Sequence, residues 1–164
     1  MPDVELEREQ LRDPVGIRRW PHDKGRDACR TPMQWSDELG GGFSAADVEP
    51  WLPYGDLKKT NVARQREEND SHLDFTRHLI HARKEVPGLV DGTYEAIDSP
   101  PGTWVYKRGP ATVVALNFGD DVAAIEDVEG LVRLTTAPGR IDEYAPGRID
   151  LQPLQGVVIV PGEH

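Results

Sequence analysis

The chain has 164 residues, about the length of one domain, and carries 19 Lys and Arg against 29 Asp and Glu. The resulting net charge of −10 argues against a protein that binds nucleic acid or anionic lipid through non-specific electrostatics. No apolar run reaches the ~20 residues of a membrane span, and the length is too short for a complete (β/α)8 barrel of ~250 residues.

The N-terminal stretch is acidic and has a helical pattern over 3–12 that ends before Asp13-Pro14. This stretch lacks the basic and apolar segments of a secretory signal. The chain also holds a lone cysteine, Cys29, which fits a reducing compartment. These features predict a cytoplasmic protein.

Residues 14–57 show neither helical nor strand periodicity, yet they hold Trp20, Trp35 and Trp51. Flexible linkers are poor in aromatic residues, and a long structureless loop inside a compact domain is uncommon unless it is functional. We therefore predict a surface loop that is anchored by its aromatic side chains and ordered by packing on something larger. In this chain alone, we expect residues 1–60 to be poorly ordered.

The clearest helix is predicted over 71–86, after a short helical stretch at 61–68. Its apolar residues recur at intervals of three and four, and Pro87-Gly88 ends the pattern. The apolar face consists of Phe75, Leu79, Ala82 and Val86. We expect this face to cover one side of a β-domain or to be exposed, and an exposed face would favour self-association.

From residue 93 the apolar periodicity changes to two, which is typical of strands. The predicted strands are 93–97, 103–108, 111–118, 122–126, 131–135, 148–151 and 156–160. Short strands separated by Gly, Pro and Asp turns predict an antiparallel β-sandwich. Ala-Pro-Gly-Arg-Ile-Asp occurs twice, at 137–142 and 145–150, and is interpreted as a duplicated turn. The expected fold class is mainly β with a minor α part.

The segment 25–35, Gly-Arg-Asp-Ala-Cys-Arg-Thr-Pro-Met-Gln-Trp, concentrates two arginines, an aspartate and a tryptophan. An arginine fork can bind a carboxylate or two sugar hydroxyls in a fixed geometry. One interpretation is therefore a pocket for a sugar or polyol, with Trp35 as a flat apolar wall. The other is a pair between Asp27 and an arginine that locks the loop, with Trp35 as an anchor.

Other reactive residues are weaker candidates for a functional site. His78 and His81 lie three residues apart on the predicted helix, but no third ligand follows at a useful spacing. Cys29 is not part of a nucleophile motif and is interpreted as a packed thiol near Trp35. We expect neither a metal nor a cofactor.

The segment 25–35 also resembles a known family. It is similar to the segment that follows the catalytic motifs in α-amylase-family glycoside hydrolases of the α-glucosidase, oligo-1,6-glucosidase and trehalose synthase type. Further pieces resemble that family in the right order, at 13–21, 42–53, 61–71, 79–84 and 113–118. Together they extend over about 11–120.

The resemblance implies a division of the chain. Family members combine a (β/α)8 barrel with a C-terminal antiparallel β-sandwich. Residues 1–90 would then be the C-terminal remnant of the barrel, a long loop plus the last helix over 71–86. Residues 91–164 would be the β-sandwich domain.

The resemblance also implies an enzyme that acts on α-linked gluco-oligosaccharides with a retaining mechanism. That mechanism uses one carboxylate as nucleophile and another as acid and base. In the family these groups belong to motifs that no part of this chain matches. We therefore expect no catalytic residue here, and a chain that is not catalytic by itself.

One substrate contact is carried over by the resemblance. In the family, the arginine of Arg-Thr-Pro-Met grips hydroxyls of the non-reducing-end glucose together with an aspartate from an early loop. The matching residue is Arg30. Arg26, Asp27 and Trp35 are expected to shape the loop near the substrate site.

A different function stays open: a stand-alone β-sandwich module that binds α-glucan or docks on a partner chain carrying the barrel. Aromatic platforms for sugars would favour this function. The β-domain offers few aromatic residues, namely Tyr94, Trp104, Tyr106, Phe118 and Tyr144.

Overall fold

The computed structural model describes residues 5–137 and 141–162, and the chain divides into two compact units, Met1–Asp74 and Phe75–His164. The first unit contains two 3-10 turns, Arg8–Gln10 and Asp27–Cys29, and two short helices. These helices are α1 (Pro14–Arg19) and α2 (Val62–Glu67). The first unit is therefore built mainly of loops.

The predicted helix over 3–12 is wrong for the part that is described, because only Arg8–Gln10 is helical; residues 3 and 4 lie outside the described residues. Leu6 and Leu11 are both buried and pack with Leu52. A helix would place two residues five positions apart on different faces, so the extended backbone around the turn is what brings both leucines into one cluster.

The loop 14–57 is ordered by its tryptophans, although it contains one short helix that the sequence pattern missed. Trp20 packs against the leucine cluster, and the Trp51 indole donates a hydrogen bond to the Gln10 carbonyl oxygen at 3.1 Å. Helix α1 forms because the Asp13 side chain caps it and Pro14 occupies its first position, where no N–H is needed.

The described part of the second unit contains one antiparallel sheet of six strands in the order β1-β2-β3-β6-β4-β5. The strands are β1 (Tyr94–Ile97), β2 (Thr103–Arg108), β3 (Thr112–Asn117), β4 (Ala123–Thr135), β5 (Tyr144–Leu151) and β6 (Gly156–Val160). The mainly β class with a minor α part is confirmed. The strands join in a single hydrogen-bonded sheet, whereas seven strands in two sheets were expected.

The number of strands differs because one predicted break lies inside a strand, and a second predicted turn lies inside a strand that is longer than expected. The predicted strands 122–126 and 131–135 are one strand, β4, which continues through a bulge near Asp127 and through Gly130. The predicted turn at 145–148 lies within β5. Pro146 is tolerated there because β5 is an edge strand. The other copy of the repeat includes 138–140, which lie outside the described residues.

The sheet buries apolar side chains on both faces. One face carries the main core, whose members are Val105, Val113, Ala115, Ile125, Val128, Val132, Ala145, Ile149, Leu151, Val157 and Ile159. The other face carries Val114, Leu134 and Val158. This alternation is the period of two that the sequence displays.

Two helices contribute to the smaller cluster, α3 (His72–Glu85) and α4 (Pro87–Asp91). Phe75 from α3 and Leu89 from α4 pack against it. Ala82 and Val86 are buried, while Leu79 remains 45% exposed. The apolar face of the predicted helix therefore covers one side of the sheet, the first of the two arrangements expected, and self-association through this face stays a prediction.

Candidate functional site

A network of two aspartates and two arginines lies in the first unit. Asp27 and Asp13 have exposed fractions of 0% and 2%, so both carboxylates are buried. Arg26 and Arg30 reach these carboxylates from the partly exposed side. A buried carboxylate is costly unless it is paired and hydrogen-bonded, so the contacts of each oxygen decide what this network can do.

Asp27 joins two segments of the chain. Its Oδ2 accepts hydrogen bonds from the backbone N–H groups of Arg12 and Asp13, each at 2.6 Å. Its Oδ1 accepts a hydrogen bond from Nη1 of Arg30 at 3.2 Å. The carboxylate therefore links the start of α1 to the segment that carries Arg30.

Asp13 supplies the second half of the network. Its Oδ1 accepts from the backbone N–H of Val15 at 2.9 Å, and its Oδ2 accepts from the backbone N–H and Nε of Arg26 at 3.2 and 3.3 Å. Nη2 of Arg30 lies 3.9 Å from the same Oδ2. The amide hydrogen bonds from Val15 and Arg26 hold the pKa of the Asp13 carboxyl below its ordinary value, although burial opposes them.

Two glycines allow this close approach. Gly25 has φ of +67°, and a Cβ there would lie 3.0 Å from Cγ of Asp13. A Cβ at Gly16 would overlap the carbonyl oxygen of Lys24. Helix α1 and the segment 24–26 therefore lie against each other only because neither glycine has a side chain.

The segment after Arg30 is fixed by a second set of hydrogen bonds. Gln34 is buried; its Oε1 accepts from the Gly55 amide at 3.0 Å, and its Nε2 donates to the Thr60 carbonyl oxygen. The Trp35 carbonyl oxygen accepts from the Ala63 amide at 2.9 Å. The backbone of Trp35 is thus anchored beside α2, and its side chain is 48% exposed.

The structure brings together three of the four site residues named from the sequence. Arg26, Asp27 and Arg30 belong to the network, whereas Trp35 belongs to the second set of hydrogen bonds. The sequence reading missed Asp13 as a member of the site. Its only local signal was its position before Pro14, which is typical of a helix cap.

The network can bind a ligand through the guanidinium group of Arg30. The hydrogen bond to Asp27 uses only one of the N–H donors of a guanidinium, and the side chain of Arg30 is 45% exposed. The remaining donors can meet a hydroxyl or carboxylate group of a ligand. All four carboxylate oxygens already accept hydrogen bonds inside the protein.

Two other sequence interpretations can be compared with the structure. Cys29 is exposed, and its thiol donates to the Arg26 carbonyl oxygen at 3.1 Å, so the packed-thiol interpretation is wrong. Among residues 5–137 and 141–162, no group of three or more His, Cys, Asp or Glu could hold a metal ion. The helices in these described ranges are all too short or too polar to cross a membrane.

Comparisons with known proteins identify the relatives of the chain. The family model described as alpha amylase, catalytic domain, matches residues 1–92. A probable alpha-glucosidase of Rhizobium meliloti (strain 1021) is 41% identical over 128 residues, which are 76% of this chain and 23% of the relative. An oligo-1,6-glucosidase of Halalkalibacterium halodurans is 39% identical over 102 residues, 59% of this chain and 18% of the relative.

The fold comparison agrees with the sequence comparisons. The crystal structure of the alpha-glucosyl transfer enzyme XgtA superposes with a TM-score of 0.74 at 29% identity, over 98% of this chain and 31% of that one. The chain thus spans about a fifth to a third of the length of these relatives. Because the family model matches more than half of its residues, the chain belongs to the alpha-amylase family.

Proposed function

We propose that the chain acts as the C-terminal portion of an α-glucosidase-type glycoside hydrolase that cleaves α-linked gluco-oligosaccharides by a retaining mechanism. The relatives named alpha-glucosidase and oligo-1,6-glucosidase support this substrate class. The observation that carries the proposal is the partly exposed guanidinium of Arg30, which two buried carboxylates hold in place.

In this proposal residues 1–90 are the C-terminal remnant of the catalytic barrel and 91–164 are the C-terminal β-domain. The end of the family match at residue 92 supports the boundary. The boundary between the two compact units lies earlier than residue 90, after Asp74. It lies there because α3 packs on the sheet from Phe75 onward.

Arg30 is the proposed substrate contact. A guanidinium donates in a planar fork, and that geometry suits two neighbouring hydroxyls of a glucose ring. Asp27 fixes one edge of the fork through its 3.2 Å hydrogen bond, and Asp13 lies near the other edge. Arg26 and Trp35 are proposed to shape the loop around this contact.

We further propose that the chain alone is not catalytic. A retaining glycosidase needs two carboxylates that face the sugar at ~5 Å from each other. Asp13 and Asp27 are buried, and their oxygens are occupied by amide and guanidinium donors. This supports a structural role for both aspartates.

A cytoplasmic location is also proposed, supported by the lone cysteine.

The proposal can be tested by activity assays on a chromogenic α-glucoside. The chain by itself is expected to show no turnover. The chain co-expressed with the part of the Rhizobium meliloti relative that precedes the matched region is expected to restore hydrolysis, with the α-anomer of glucose released first. Turnover by the chain alone that is lost in Asp13→Asn would overturn the proposal that it is not catalytic.

The role of Arg30 is tested in the same co-expressed enzyme. Arg30→Ala is expected to lower kcat/KM by roughly ten- to hundred-fold, because a hydrogen bond from a charged group contributes about 1.5–3 kcal/mol. Arg30→Lys keeps the charge without the fork and is expected to recover only part of the loss. Arg18→Ala, on the exposed side of α1, is the matched control and should change kcat/KM little.

A further inference from the structure

The second unit contains an apolar cavity that the proposed substrate contact does not use. The cavity has a volume of about 400 Å³, within the ~300–1,000 Å³ that is typical of ligand pockets. It lies where the junction of α3 and α4 meets the β2–β3 turn, the end of β6 and Arg133 of β4. Every lining residue falls within 85–161, so the cavity belongs entirely to the second unit.

The wall of the cavity is apolar and poor in backbone donors. It is lined by Val86, Pro87, Pro110, Val160 and Pro161. A proline has a fixed φ and no N–H group, so the three prolines present rigid ring carbons to the cavity. This wall favours a ligand with an apolar body, because a polar group placed against it would lose its hydrogen bonds to water without replacement.

The cavity is formed before any ligand binds, because Gly88 holds α4 against the sheet. A Cβ at Gly88 would lie 2.5 Å from both the Arg108 carbonyl oxygen and Oγ1 of Thr112. Nε of Arg108 donates to the Gly88 carbonyl oxygen at 3.4 Å. The backbone of α4 therefore contacts the sheet directly. A site that is already ordered loses little conformational entropy on binding.

Three polar side chains line the cavity, namely Glu85, Thr112 and Arg133. Nη2 of Arg133 donates to Oε2 of Glu85 at 3.0 Å, and the two side chains are 44% and 56% exposed. Thr112 is only 5% exposed. Within 5–137 and 141–162, its hydroxyl group has no hydrogen-bond partner. A buried hydroxyl without a partner is costly, so this group favours a ligand that can pair with it.

The charges beside the cavity favour a neutral polar group on the ligand. Glu85 and Arg133 compensate each other, so an anion would be repelled by the carboxylate and a cation by the guanidinium. Arg133 uses one of its N–H donors in the described part of the chain. A hydroxyl group can accept from the guanidinium and donate to the carboxylate, whereas an ether or a carboxylate can only accept.

The volume of the cavity limits the size of the ligand. A water molecule occupies about 30 Å³ in the liquid, so 400 Å³ corresponds to roughly a dozen non-hydrogen atoms. One or two fused rings that carry a hydroxyl group have this size. A monosaccharide of similar size has hydroxyl groups on all its edges, and the apolar wall would leave most of them without partners.

We propose that this cavity binds a small uncharged phenol or apolar alcohol. Its rings contact the prolines and valines of the wall, and its hydroxyl group pairs with Glu85, Arg133 and Thr112. The site belongs to the second unit, whereas Arg30 belongs to the first, and it does not depend on the proposed glucosidase function. A ligand that binds only the folded chain stabilises it, so the second unit becomes more resistant to urea when the site is filled.

The proposal is tested on the full chain by NMR titration with 2-naphthol as the probe. Saturable shifts are expected in the backbone amide signals of Gly88, Ala111 and Val160, together with a higher urea midpoint of the second unit. 2-Methoxynaphthalene cannot donate a hydrogen bond, and 2-naphthoate is an anion. Each is expected to bind about ten-fold more weakly, because each lacks the donor that meets Glu85.

Two variants locate the probe. Ala111→Phe places a ring at a lining position and is expected to abolish the saturable shifts. Arg133→Met keeps an apolar stem without the donors and should weaken binding about ten-fold. Because Arg133 is partly exposed, this variant keeps the test valid if Ala111→Phe does not fold. Arg83→Met, at an exposed position of α3 that does not line the cavity, is the matched control and should bind like the unmodified chain.

Several outcomes would overturn the inference. They are the absence of shifts at the cavity amides, saturable binding by a folded Ala111→Phe variant, unchanged binding by Arg133→Met, and tighter binding of 2-naphthoate than of 2-naphthol. A concentration-dependent dimer that Ala111→Phe abolishes, with no 2-naphthol bound, would show that a second copy of the chain occupies the cavity and would overturn it too. These measurements do not use turnover, so their failure leaves the Arg30 proposal standing.

Discussion

The two units of the chain are stabilised in different ways. The second unit buries a continuous layer of Val, Ile, Ala and Leu between regularly paired strands. From residue 5 onward, the first unit has a single small leucine cluster, and its loops are joined through the carboxylates of Asp13 and Asp27 and the amide of Gln34. Buried polar side chains thus stabilise the first unit, whereas apolar packing stabilises the second.

This difference has a consequence for mutation. An apolar core tolerates substitutions that keep its volume, because many contacts share the stabilisation. A buried carboxylate that serves three donors tolerates almost none, because each donor left without a partner retains its full desolvation cost. The first unit should therefore be sensitive at a few polar positions and the second unit at many apolar ones.

The largest effect is expected from Asp27→Ala in the first unit. The change leaves the amides of Arg12 and Asp13 and the guanidinium of Arg30 without an acceptor. Breaking a buried charged network by removing one partner typically costs about 3–5 kcal/mol. Hydrogen exchange should show the loss of protection over the first unit. Glu67→Ala, an exposed residue, is the control and should change stability by less than about 0.5 kcal/mol.

If Asp27→Ala lowered the protection of the β-strands as much as that of 12–35, the two units would not be stabilised independently, and the comparison would fail. A variant Asp27→Asn sharpens the test. It keeps the shape and one acceptor oxygen but loses the charge. Its effect should fall between the unmodified chain and Asp27→Ala.

In the second unit, Ile159→Ala is expected to cost about 2–5 kcal/mol, because Ile159 on the central strand β6 is fully buried and the truncation leaves a cavity. Ile159→Val should cost only about 0.5–1.5 kcal/mol. Leu154→Ala, at a largely exposed position, is the control. Urea unfolding monitored through the strands measures all three. Equal costs for Ile159→Ala and Leu154→Ala would contradict the packed core.

The smallest effect on stability is expected when the pH is lowered into the acid range. The pKa of Asp13 is lower in the folded chain than its ordinary value of 3.8. A depressed pKa contributes stability above that value, and the contribution is lost as pH falls below 3.8 toward the folded pKa. The protection of the first unit should therefore decrease at the acid end, and less steeply in Asp13→Asn. Identical pH profiles for the two chains would contradict the role of this carboxylate.

Local patterns in the sequence predict part of this structure. The helix over 71–86 and the β character after residue 93 follow from apolar periods that need only neighbouring residues to be read. The continuity of β4 through Gly130 was not predictable in this way. A glycine commonly ends a strand, and only its partners on β5 show that here the pairing continues.

The candidate site shows the same limit. Arg26, Asp27 and Arg30 stand close together in the sequence, so their association could be predicted. Asp13 is 13 residues from Arg26, and its burial depends on the fold of α1 against the segment 24–26. Its role is a property of tertiary contacts, which no local pattern encodes.

The position of β6 has a consequence for biosynthesis. This strand is translated after the other five strands, yet it lies in the middle of the sheet, between β3 and β4. Until Gly156–Val160 have left the ribosome, the three strands β1–β3 and the hairpin β4–β5 each have an open edge where β6 will pair. Open edges attract other strands, so a ribosome that stalls shortly before residue 156 should release nascent chains that aggregate.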